Sequence, residues 1–232
     1  SCGACSQACP TGAITDIFAS KFNDATESER TVCTYCGVGC NLDVATLMSI
    51  APDLISSPDW QVATAPMQQM RFMYDRMANE NQKKALEARF DNFYSGKLEE
   101  TGLQVTDDRD KAQLQDSLVT FLAETARQPG LRAELVKMAR AYTGFGGDEK
   151  IHPDAANPII ISTALDVSVN VLGNDFFDHL RSLALASTDA VVRGRTIGAM
   201  ANTKDPEKTA EVLELVFSEE LRDNEIFNII YA

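Results

Sequence analysis

The chain has 232 residues, enough for one large domain or two small ones with a sizeable core. Its apolar fraction of 44% and charged fraction of 24% are those of a soluble globular protein, and a net charge of −13 argues against a nucleic-acid partner, which would need a basic face against phosphate. No segment approaches the ~20 apolar residues of a membrane span, and no basic-then-apolar leader opens the chain, so a cytoplasmic location is expected.

All six cysteines lie within the first 40 residues. A disulfide-stapled secreted protein would distribute them through its core, so clustering at one end points to metal or iron–sulfur ligation. Residues 1–43 are therefore expected to form a cysteine-rich irregular segment: SCGACSQACPTGAI, a polar linker KFNDATESER, then TVCTYCGVGCNLDV. From residue 44 onward the chain reads as amphipathic helices separated by short turns. Leu47, Ile50, Leu54 and Ile55 form a first stripe. Val62, Met67, Met70, Met73, Tyr74 and Met77 then recur at spacings of three and four, with Pro66 expected near a helix start.

Leu86, Phe90, Phe93 and Tyr94 share a face, as do Leu114, Leu118, Phe121, Leu122 and Thr125. Leu131, Leu135, Met138 and Tyr142 make another, stopped by Gly144, Gly146 and Gly147. The β-branched run from Ile159 to Leu172 suits a buried helix or a strand, and its length favours the helix. Asp175 is expected to start a helix carrying Phe176, Phe177 and Leu180. Ser187-Thr188-Asp189 then caps the helix of Val192, Ile197 and Met200, and Thr203-Lys204-Asp205-Pro206 caps that of Val212 and Leu215. Short helices joined by capped turns predict an all-α fold, an irregular solenoid of antiparallel helix pairs of the HEAT or armadillo kind, over 44–232. The chain opens inside a cysteine motif and ends in the apolar run Ile226, Phe227, Ile229 and Ile230, so both ends are expected to be cut.

The blocks SSPDWQVATAPMQQMRFMYDRM, LEETGLQVTDDRD, LRAELVKMARAYTGFGGDEKIHPDAANPIII and FFDHLRSLALASTDAVVRGRTIGAMANTKDP resemble the C-terminal helical domain of the aminopeptidase N family of zinc metallopeptidases. The resemblance implies a helical bowl that covers an active-site chamber and restricts peptide access. Its partners would be a peptide or a missing catalytic domain. The family's zinc site uses HExxH, two imidazoles on one helix face with a glutamate as base. Here only His152 and His179 occur, in separate segments, so no zinc site and no catalytic residue is expected. Gly198-Ala199-Met200-Ala201-Asn202 is similar to the family's GAMEN motif but has Ala201 where the glutamate would stand; Ile197 and Met200 are expected to be core positions of a helix end. Arg132, Arg140, Arg181, Arg193 and Arg195 are basic in an acidic chain, hence candidates for peptide contact or for solvated helix faces.

The first cysteine segment resembles the end of a ferredoxin motif, with Cys2, Cys5 and Cys9-Pro10 matching its last three cysteines. The second resembles the iron–sulfur motif of formate dehydrogenase-type molybdopterin oxidoreductases, with Cys33, Cys36 and Cys40 matching. These six are the candidate metal ligands, and each cluster is one ligand short within the chain. The sequence thus supports three readings: a noncatalytic aminopeptidase cap, an iron–sulfur electron-transfer module, or a chimera of two families with no native activity.

Overall fold

The computed structural model describes residues 30–32 and 41–230. The chain divides into two compact units, Ser1–Lys84 and Ala85–Ala232. In the first, strands β1 (Arg30–Val32) and β2 (Asn41–Asp43) pair antiparallel with Thr31 opposite Leu42. Helix α1 (Val44–Ile55) follows directly and packs on α2 (Trp60–Phe72), burying Leu47, Ala51 and Ile55 against Ala63, Met67 and Met70.

Pro66 is the seventh residue of α2, not a residue near its start. The cap sets the boundary instead: Asp59 accepts from the backbone N–H of Gln61 at 2.8 Å and fixes the first turn at Trp60. Pro66 removes one donor from the helix interior, and its ring is buried with Met67. Val62, counted in the stripe, is instead exposed. The helix continues into a π-helical turn, Met73–Met77, which closes with Ala78 N–H donating to the Met73 carbonyl.

Helix α3 (Glu80–Thr101) ends at Gly102, whose φ of 72° provides the left-handed residue that stops it. The second unit then runs through α4 (Arg109–Thr120), α5 (Pro129–Thr143), α6 (Ile161–Leu172), α7 (Asn174–Ala186), α8 (Ala190–Ala201), α9 (Pro206–Val216) and the short α10 (Phe227–Ile230). Consecutive helices pack as neighbours, α5 on α6 and α7 on α8, with α6 also against α8. The β-branched Ile159–Leu172 run is helical from Ile161 because Asn157 turns the chain just before it, its side-chain carbonyl accepting from Ile159 N–H. Helix α7 starts one residue before Asp175, after Gly173 (φ 73°) has ended α6.

One local device recurs at four helix starts. Asp59, Asp108, Asp189 and Asp205 each accept from two backbone N–H groups of the following turn. Each also donates its own N–H to a hydroxyl two residues earlier: Ser57, Thr106, Ser187 and Thr203, at 3.1–3.3 Å. The Ser/Thr-x-Asp unit thus satisfies the orphan donors of the helix and fixes the turn that enters it. The sequence shows two of the four caps through their flanking apolar runs; the other two carry the same three-residue signature.

The core of the second unit centres on aromatic and aliphatic side chains drawn from α3 through α9. Tyr94 meets Phe121 edge-on at 5.1 Å, and Phe90 meets the same ring at 5.5 Å. Each such ring removed from water stabilises by roughly 1.5–3 kcal/mol. Burial also pushes the Tyr94 phenol well above its ordinary pKa. Two buried amides cross this core: Gln115 donates to the carbonyls of Gly102 and Gln104, and Asn157 donates to Leu103 and to the Gln115 side-chain oxygen. Together they tie the α3–α4 turn to the entry of α6. Among the described residues, no helix is long and apolar enough to cross a membrane.

Candidate functional site

The six candidate ligands Cys2, Cys5, Cys9, Cys33, Cys36 and Cys40 all lie outside the described residues. Among the described residues, no group of three or more His, Cys, Asp and Glu side chains could hold a metal ion.

The two histidines stand around one loop. His152 is exposed and bonds Asp148 at 2.9 Å. The His179 side chain on α7 is largely buried: its Nδ1 meets Glu149 at 2.7 Å and its Nε2 meets the Thr143 carbonyl at 2.9 Å. Phe145 packs edge-on to Phe176 at 5.1 Å beside it, under the guanidinium of Arg140. Gly144 makes the loop possible. It is left-handed (φ 65°), and a Cβ there would sit 2.6 Å from the Lys150 amide nitrogen. These contacts anchor the 144–152 loop to α7.

A polar cavity of about 310 Å³ lies in the second unit. Its walls come from four separate segments. A π-helical turn, Phe121–Thr125, follows α4 and closes with Ala126 N–H on the Phe121 carbonyl, placing Glu124 at the rim. Arg127 follows in a left-handed conformation (φ 51°), unusual for a residue with a Cβ, and Arg132 comes from the first turn of α5. Asp166, Val167 and Asn170 come from α6, and Asn202 and Lys204 from the turn after α8.

An amide relay holds two of these walls together. Asn170 donates to the Asn202 carbonyl at 2.9 Å and accepts from Lys204 N–H at 2.9 Å. Arg132 donates to the Ala123 carbonyl at 2.7 Å. Its pKa is lowered by partial burial and by the neighbouring Arg127, against the opposing pull of Glu124 and Glu87. Asp166 is pushed up to about 7, chiefly by burial and then by the Glu124 charge, with an Asn202 hydrogen bond acting in the other direction. Glu124 therefore acts on both the like charge of Asp166 and the opposite charge of Arg132 in this cavity, and Arg127 acts on Arg132 as a like charge.

The model of an ERAP1-like C-terminal domain matches residues 38–232. The chain belongs to that family. The ERAP1-like domain is thus a helical domain of the aminopeptidase kind, as its sequence blocks imply. A 4Fe-4S binding domain matches residues 1–15, which contain Cys2, Cys5 and Cys9. No curated protein matches the chain.

The structure separates the five arginines of the ERAP1-like domain that sequence leaves equivalent. Arg193 is a core lock, 5% exposed: Nε and one terminal nitrogen donate to Glu225 at 2.5 and 2.7 Å, and the remaining donors reach the carbonyls of Ala184 and Glu220. Arg181 pairs with Glu211 and Glu220, Arg195 donates to the Pro158 carbonyl, and Arg140 covers Phe145. Arg132 lines the polar cavity. Gly198–Asn202, the GAMEN-like stretch, forms the end of α8 and the residue that caps it: Ile197 and Met200 are buried, and Asn202 turns into the cavity wall. Asp166 and Glu124 escape a sequence reading. They are 42 residues apart by number, and no local signal links them.

Proposed function

We propose that the ERAP1-like domain is a noncatalytic helical cap, a stack of helix pairs that shapes peptide access to a zinc catalytic domain or docks on it. The observation that carries this is the family match over residues 38–232 in a chain whose histidines, His152 and His179, cannot form HExxH. A domain of this family without the zinc-binding helix has no means of activating water for peptide hydrolysis. Its work is then recognition, exclusion or assembly, in a soluble, cytoplasmic setting. The test has two arms. The purified chain, given zinc and an amino-acid amide substrate, should show no turnover, and hydrolysis that persists through a second purification would overturn the noncatalytic reading. A fluorescent ten-residue peptide should bind with a rise in anisotropy, and absence of binding at millimolar protein would overturn the peptide-access role.

The match of residues 1–15 to a 4Fe-4S binding domain favours a second reading for the head of the chain. Cys2, Cys5 and Cys9, with Cys33, Cys36 and Cys40, would supply thiolates to an iron–sulfur cluster, whose chemistry is one-electron transfer. The two matches belong to different families, and the pairing is also what a chimera would contain. Anaerobic reconstitution read by visible absorption and EPR decides: stoichiometric iron and sulfide, lost in Cys5→Ser or Cys36→Ser, support the cluster. Background iron in all variants removes it.

A further inference from the structure

We propose that the 144–152 loop is a pH-operated latch, closed on α7 by a proton held between His179 and Glu149 and opened when that proton is lost. The device is independent of the cap reading, since it rests on contacts within the domain and on no peptide or catalytic partner.

Two acceptors face one imidazole. The His179 Nε2 lies 2.9 Å from the Thr143 carbonyl, which can only accept, so Nε2 carries a hydrogen. Nδ1 lies 2.7 Å from the Glu149 carboxylate. A neutral imidazole has a single N–H, and Thr143 takes it, so the Nδ1 lone pair would face a carboxylate oxygen at ion-pair distance. That approach is attractive only with a second proton between the two groups, as imidazolium against carboxylate. The His179 side chain is 7% exposed, with Phe145 and Phe176 beside it, so water does little to screen a mismatch. Thr143 is the last residue of α5, and the negative end of that helix favours a cation on its carbonyl. The other charges around α7 are engaged elsewhere. Arg140 of α5 covers Phe145, and Asp148 of the loop pairs with His152. Asp178 on α7 itself pairs with Lys208 of α9, and Arg193 of α8 is sealed on Glu225.

The contact holds a strained backbone in place. Glu149 sits at φ 58°, a left-handed conformation unfavourable for a residue with a Cβ. Its Oε1 accepts from Gly146 N–H at 3.0 Å while Oε2 meets His179, so one carboxylate joins the loop tip to α7. The turn beneath is left-handed at Gly144 and Gly146 and closes with the N–H groups of Gly147 and Glu149 on the Gly144 carbonyl. When the Nδ1–H bond gives its proton to solvent, lone pair and carboxylate repel, and Glu149 is free to leave its strained conformation. Beyond it, His152 N–H still donates to the Tyr142 carbonyl at 2.7 Å, which confines the opening to residues 144–149. The proton belongs to the closed loop. The latch is therefore shut in acid and opens as pH rises through the range in which imidazoles titrate.

The experiment is NMR of the full chain between about pH 5 and about pH 9, spanning the imidazole range. Nitrogen-15 shifts of the His179 ring report which nitrogens carry hydrogens, and amide exchange, corrected for its intrinsic pH dependence, reports the loop. At the acid end both ring nitrogens should be protonated. Across the series the protection of Gly146, Gly147 and Glu149 should fall about tenfold or more, in step with loss of the Nδ1 proton, as expected for one charge-assisted contact. Glu149→Gln keeps the shape and removes the charge, and Glu149 is half exposed, so the variant tests the latch without loading the core. Its loop protection should be low and independent of pH. His152→Gln removes the exposed histidine of the same loop and should leave the wild-type pH response intact. A His179 ring with Nδ1 unprotonated throughout would overturn the proposal. So would protection that stays constant up to about pH 9, or a pH response that survives Glu149→Gln or vanishes in His152→Gln.

Discussion

Asp166→Asn should stabilise the chain above neutral pH and leave it unchanged in acid. The carboxyl titrates at about 7 in the folded chain against an ordinary value of 3.8. A raised carboxylate pKa means that the folded state binds the proton more tightly, so stability is highest below 3.8 and falls as pH climbs through 7. The gap is about three pH units at about 1.4 kcal/mol each, so the ionised group costs the folded state up to about 4 kcal/mol. Water entering the cavity mouth lowers that figure, and about 3 kcal/mol is the working value. Asparagine keeps the shape and the partnership with Asn202 while removing the charge. Urea unfolding of both proteins at pH 5 and pH 8 measures the effect. The advantage of the variant should grow by about 2–3 kcal/mol between the two, with a rise in Tm of several degrees at pH 8. A pH-independent difference, or a variant less stable at pH 8, would refute the placement of Asp166 among Glu124 and buried neighbours.

Glu225→Gln should cost about 3 kcal/mol in chemical unfolding, because it leaves the Arg193 charge buried with carbonyl partners alone; a loss below about 1 kcal/mol would mean that water already reaches the pair. Gly144→Ala should destabilise far more than Gly102→Ala. Both positions have positive φ, costing about 1–2 kcal/mol, but only at Gly144 does the added Cβ meet backbone, at 2.6 and 2.7 Å. Equal losses in thermal melts would contradict that geometry. Asp108→Ala should remove about 1 kcal/mol, and amide exchange should show earlier opening at Asp110 and Lys111, whose N–H groups it holds.

The fold was largely readable because its signals are local. Periodic apolar residues mark most of the helices, and the Asp189 and Asp205 caps stand where Ser/Thr-x-Asp precedes an apolar run. The exceptions have physical causes. Pro66 suggests a helix start, but the Asp59 cap, seven residues before it, sets the start at Trp60 and outweighs one lost hydrogen bond. The β-branched run at Ile159–Leu172 is ambiguous by propensity, and burial between α5 and α8 supports the helix. The site was not readable, because its charges come from four segments and act only once brought together. The arginines show the same limit: nothing local distinguishes Arg193, sealed on Glu225, from Arg132, open to a cavity.

The repeated Ser/Thr-x-Asp unit also bears on how the chain emerges during synthesis. Each cap is complete within about six residues, so Ser57, Thr106, Ser187 and Thr203 each mark where a helix begins by contacts that need no distant partner. A helix that knows its first residue presents its apolar face in the correct register to the next one leaving the ribosome. Local caps and neighbour-on-neighbour helix packing keep many of the chain's contacts close in sequence, the pattern that goes with fast folding and short exposure of unpaired apolar faces.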